Sequence, residues 1–88
     1  MEKNEKERAK KDIQMLSKLL EYFKNSGLAA KYPRAFEWAK NYSKDAEHYY
    51  KKADYFSSFG CANYGYGILD GILINEKIKE RVLKELGL

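Results

Sequence analysis

Few side chains in this sequence have types and spacings that could do chemistry. Asp45 and His48 stand three residues apart, the spacing at which one helix face offers a carboxylate and an imidazole to a metal ion. Carboxylate-bridged metal centres need two such pairs and further glutamates, and the chain has one His. A helical wheel also puts His48 opposite the apolar stripe of its helix, so it reads as a solvated surface residue. Cys61 is the lone thiol. A nucleophilic Cys needs a base beside it, and His48 faces away, so Cys61 reads as packing or interface. The residues thus predict no catalytic group, no metal and no cofactor.

Asp70 and Asn63 are the more unusual pair. Both fall on an otherwise apolar helix face, and a buried carboxylate costs several kcal/mol unless it is hydrogen-bonded. Tyrosine hydroxyls, the Trp38 indole N–H or a lysine could satisfy it. Asp45, Asn63, Tyr66, Asp70, Tyr42 and Trp38 are therefore expected to form an internal polar network that fixes helix register. The alternative is a small-ligand pocket around Asp70. General acid–base work there would need a second titrating group, for which Asp45 is the candidate.

Four helical segments must position these residues. The first covers about 5–24, with Ala9, Ile13, Leu16, Leu20 and Phe23 on one stripe, widened by Leu19, and ends at Gly27. The second covers about 33–52. Pro33 suits its first turn, and Lys51 and Lys52 suit its last. Its apolar arc is wide and aromatic, including Trp38, Tyr42 and Tyr49. Asp54 is a natural N-cap for the third, about 54–74. From Tyr55 to Asn75 the only charged side chain is Asp70. One side of this helix gathers around Phe59, a second carries Gly60, Gly67 and Gly71, and a third carries Cys61, Tyr64, Ile68 and Ile72. The glycine side is predicted to pack tightly against another helix. The fourth segment, about 76–87, repeats Ile78, Val82 and Leu86; whether it continues the third helix is left open by the pattern.

These features predict an all-α fold in one domain, an antiparallel three-helix bundle with a C-terminal helical extension. At 88 residues the core is small, and no disulfide can supplement it. Well-fitted packing or oligomerisation must do so. The net charge of +4 argues solubility more than nucleic-acid binding. One Cys in a Lys/Glu-rich chain suits the cytoplasm, a single Gln leans towards a thermophile, and the N-terminus lacks a secretory pattern. Asp70, Asn63 and the glycines argue against a membrane span.

The run from Asp45 through His48-Tyr49-Tyr50-Lys51-Lys52-Ala53-Asp54-Tyr55 to Tyr64-Gly65-Tyr66-Gly67-Ile68-Leu69-Asp70 resembles a small archaeal family catalogued as domain of unknown function number 357. That family's pattern is an Asp-Ala start, a Gly-Asp-Tyr turn, an Ala-Phe-rich segment and Tyr-Ala-x-Gly-Leu-Leu-Asp. Ala53 stands where the family's turn usually has Gly, and Gly65 where it often has Ala. The resemblance is strongest over 45–70. It implies a compact bundle of about three helices and no assigned activity.

The leading functional expectation is a non-enzymatic interaction or scaffolding module. It would form a homo-oligomer, or bind another protein, through Cys61, Tyr64, Ile68, Ile72, Val82 and Leu86. The alternative is RNA or DNA binding through a basic face of Arg34, Lys40, Lys44, Lys51 and Lys52.

Overall fold

A computed structural model of the chain describes residues 2–88, with side chains from Asn4 onward. It contains α1 (Glu2–Ser26), α2 (Leu28–Lys31), α3 (Pro33–Lys51), α4 (Tyr55–Asn75) and α5 (Lys79–Leu86), and no strand among the described residues. α3 and α4 form an antiparallel hairpin, and α1 lies along both. The expected all-α bundle is the observed one. α1 is longer at both ends than its apolar stripe suggested. The single turn α2 is too short to reveal a period in the sequence, yet its Leu28 is buried.

The core follows from the stripes. Leu16, Leu19 and Phe23 of α1 are fully buried with Ala39 of α3 and Leu69 and Leu73 of α4. Ile13 and Leu20 flank that line and are half-buried. α4 buries Ser58, Ala62, Gly65, Leu69 and Leu73, a stripe that is small at the N-terminal end and large at the C-terminal end. Small residues let α3 approach: the Ser58 hydroxyl donates to the Ala46 carbonyl at 2.7 Å. A Cβ added at Gly65 would sit 2.9 Å from Leu16 Cδ2, 3.2 Å from Tyr42 Cβ and 3.3 Å from the Ala39 carbonyl oxygen.

This overturns the expected glycine seam. Gly60, Gly67 and Gly71 are exposed, and a Cβ at any of them would meet nothing within 4 Å. The close-packing glycine is Gly65. Missing side chains mark a helix side that can approach another backbone, but not whether the same chain supplies one.

The two turns that bound α4 share one device. Ala53 has φ 62°, with its N–H on the Tyr50 carbonyl at 3.0 Å and the Asp54 N–H on Tyr49 at 2.9 Å. These are the paired bonds that close a helix through a left-handed residue. Asp54 then caps α4 as expected, its carboxylate accepting from the Ser57 N–H at 3.1 Å. Lys77 repeats the arrangement at φ 64°, with the Lys77 N–H on Ile74 and the Ile78 N–H on Leu73, both at 3.0 Å. α4 therefore does not run on into α5. The bend folds α5 back, and Val82 becomes fully buried in the same core cluster as Leu69 and Leu73.

Three substitutions test this packing in thermal or urea denaturation. Ala53→Gly relieves a left-handed alanine and should stabilise the chain by about 1 kcal/mol. Gly67→Ala should stabilise by roughly 0.5–1 kcal/mol through helix propensity, whereas Gly65→Ala should destabilise by about 1–2 kcal/mol because Tyr42 and the Ala39 backbone must move.

Candidate functional site

The side chains singled out in the sequence do not converge on one place. The expected polar network divides into two groups. Asp70 and Tyr66 lie at the end of α4 under α5. Trp38, Tyr42 and Asp45 line a shallow open groove with Asn41 on α3. Asn63 belongs to neither, since it is exposed on the outer side of α4. Across the α3–α4 groove Tyr42 meets Tyr64, their ring centroids 4.7 Å apart.

In the first group, Lys79 on α5 donates to Asp70 Oδ2 at 3.1 Å. The other carboxylate oxygen of Asp70 is buried and has no hydrogen-bond partner. Burial pushes the Tyr66 phenol above its ordinary value, the nearby Asp70 carboxylate pushes it further, and Lys79 partly offsets both. A tyrosine held in its neutral form is a packing and hydrogen-bonding group, not a base. The Asp70–Lys79 pair ties α5 to α4, with 20% and 37% of the two side chains exposed.

In the second group, Trp38, Tyr42 and Tyr64 form a ladder across the α3–α4 groove, Trp38 to Tyr42 spanning 6.3 Å. Trp38 and Tyr64 are 60% and 61% exposed. Cys61 is half-buried nearby. Burial pushes its thiol up, and the carboxylates of Asp45 and Asp54 add to the shift. That disfavours thiolate, and His48, stacked edge-on against Tyr49, is exposed on α3.

The outer side of α4 is a continuous exposed feature. Phe56, Gly60, Asn63, Gly67, Gly71 and Ile74 recur at spacings of three and four and are all exposed, with Tyr64 beside them. Phe56 is 77% and Ile74 56% exposed. The spacing is that of a helix–helix seam. Its glycines are the ones whose spacing predicts close packing inside the chain, and they face outward instead. Among the residues expected on an outward back, Val82 is fully buried, while Ile72 and Leu86 pack against the core. Ile68 is half-buried, which leaves Tyr64 open. The reason is the α5 fold-back, which covers the end of that side.

A third polar group was missed. Glu76 caps α4, accepting from the Tyr32 hydroxyl and from Lys31 Nζ at 2.7 Å. It fastens the end of α4 to the junction of α2 and α3. Nothing in helical periodicity marks it, because all three residues stand at helix ends. Arg34, Lys40, Lys44, Lys51 and Lys52 are exposed and interleaved with Glu37, Asp45 and Glu47.

Among the described residues no group of three or more His, Cys, Asp or Glu could hold a metal ion, and no helix is long and apolar enough to cross a membrane. The molecule is a small helical bundle with an exposed, uncharged outer side on α4. The chain belongs to the family described as Protein of unknown function (DUF357), which matches over residues 11–77. α5 lies beyond the matched span. No curated protein and no solved structure matches the chain.

The Glu76 cluster predicts a pH response. Hydrogen bonds from Lys31 and Tyr32 hold the Glu76 carboxyl below its ordinary 4.5, and the bond to Glu76 holds Lys31 above 10.5. The Glu76 contribution is present above pH 4.5 and is lost as pH falls through the lower folded value. The Lys31 contribution is present below pH 10.5 and is lost as pH rises through its higher folded value. Glu76→Gln should lower the melting midpoint at neutral pH and flatten its decline between about pH 5 and pH 3. An unchanged acid limb would count against the cluster.

Proposed function

We propose that this chain is a non-enzymatic interaction module that self-associates through the outer side of α4. The observation carrying this reading is the exposed seam from Phe56 to Ile74, apolar or small apart from Asn63 and free of charge. Its three glycines let a second backbone come close, while Phe56, Tyr64 and Ile74 supply apolar area to bury. The absence of charge along the seam offers an acidic or polyanionic partner nothing to pair with, and it adds no like-charge contact where a second copy meets the same side, although each chain carries +4 overall. Asp70, the one charged residue of α4, is turned towards α5 and paired with Lys79.

Such a contact also answers the small core of an 88-residue chain. The remaining parts of the reading are a cytoplasmic setting, where a lone Cys stays reduced, and a thermophilic source, from the Lys/Glu-rich surface. Nucleic-acid binding ranks second. Its five exposed basic residues are diluted by Glu37, Asp45 and Glu47 on the same helix.

Analytical ultracentrifugation tests the proposal. The wild type should show a concentration-dependent monomer–dimer equilibrium in the micromolar range. Gly67→Glu places a charge in the seam without an internal clash, and should weaken association at least tenfold while keeping the helical spectrum. A strict monomer at several hundred micromolar, or a variant that associates like wild type, would refute it. An RNA mobility shift that vanishes with salt and with Lys51/Lys52 substitution would favour the second reading instead.

A further inference from the structure

The bend between α4 and α5 is made of residues that favour helix. Glu76, Lys77, Ile78, Lys79 and Glu80 include neither Gly nor Pro, and the left-handed position is a lysine at φ 64°. The turns at Gly27 and Gly87 place glycine at their positive-φ residue. At the α3–α4 turn the left-handed Ala53 is followed at once by the Asp54 cap. α5 has no such local enforcement, since no side chain caps its N-terminus. Beyond the two backbone bonds at Lys77 and Ile78, what holds this bend is tertiary: Val82 in the core, Ile78, Leu83 and Leu86 packed against it, and Lys79 on Asp70.

If Lys77 takes a helical conformation, α4 and α5 become one helix from Tyr55 to Leu86. Val82 follows Leu73 by nine residues, and Lys79 follows Asp70 by nine. In a continuous helix each pair is separated by about 13.5 Å and about 180° of rotation. Neither contact survives within that chain. Val82 is stranded in solvent, and its own core cluster loses its cover. Both vacancies are filled if the extended α5 of a second copy docks in the first chain's cradle, and the reverse. The contacts of α5 are then the same ones, made between chains.

We propose that α5 is an exchangeable arm, with Lys77 as its hinge, and that two copies of this chain form a dimer by swapping α5. The exchange uses the α5 cradle and leaves the open seam of α4 untouched, so it goes beyond the self-association proposed above and fails or stands separately.

The test compares Lys77→Ala with Lys77→Gly. Both remove the same exposed side chain, and they differ in how readily the hinge adopts the left-handed form. Each protein is refolded at high concentration and passed through gel filtration with light scattering. Glycine favours the bend over alanine by about fivefold per hinge, so the Kd of the swapped dimer should be about 25-fold tighter for Lys77→Ala. In a mixture of isotope-labelled and unlabelled chains, the dimer should show Overhauser contacts between Val82 of one chain and Leu73 of the other. Gly67→Glu should leave this dimer intact, whereas it disrupts association through the seam. Equal Kd values for the two hinge variants, Val82–Leu73 contacts confined to single chains, or the absence of any dimer would each overturn the exchange.

Discussion

α3 and α4 approach each other along a line of small residues, and the rest of the molecule is arranged around that closeness. Ala46, Ser58, Ala62 and Gly65 are buried where the two helices meet, and the Ser58 hydroxyl reaches the Ala46 carbonyl. At Gly65 there is no room for a further carbon, because Leu16 of α1 and Tyr42 of α3 already fill the space. The hairpin therefore presents a nearly continuous wall, on which α1 lays Leu16, Leu19 and Phe23. With the small residues consumed at one end of α4, the large ones, Leu69 and Leu73, are left to build the core at the other. That uneven distribution explains why a fold-back helix is needed there and not elsewhere.

The polar groups act at the joints. Glu76 joins the end of α4 to Lys31 and Tyr32, and Lys79 joins α5 to Asp70. Solvent-screened ion pairs of this kind contribute little energy. Their value is positional: each fixes how two helix ends meet where few apolar contacts can. The buried oxygen of Asp70 that lacks a partner shows the limit of this arrangement. Asp70 meets Lys79 where α5 docks on α4.

Much of the architecture was legible in sequence because the signals were local. Asp54 as a cap, Pro33 in a first turn and Gly27 in the left-handed region each follow from the conformation one residue prefers. The family resemblance placed a glycine preference at Ala53, and the chain is indeed left-handed there. The site was less legible. Asn63 and Asp70 share a face on a wheel, yet only Asp70 has α5 beside it, so one is solvated and the other is paired. Glu76 carries no periodic signal, and its role depends on residues more than forty positions away.

The sequence by itself determined where helices form, which residues end them, and that α4 has no charged side. These are properties of short-range periodicity and of single-residue backbone preference. Tertiary structure decided which uncharged side of α4 is used inside the chain. Two stripes of small residues lie on opposite sides of that helix, and both are equally able to admit a backbone. α3 takes the one through Gly65, because Leu69 and Leu73 continue that line into the core shared with α1. The other stripe, through Gly60, Gly67 and Gly71, is left facing outward. The choice depends on which side is extended by large apolar residues at a distance along the helix, and only the packed structure compares them.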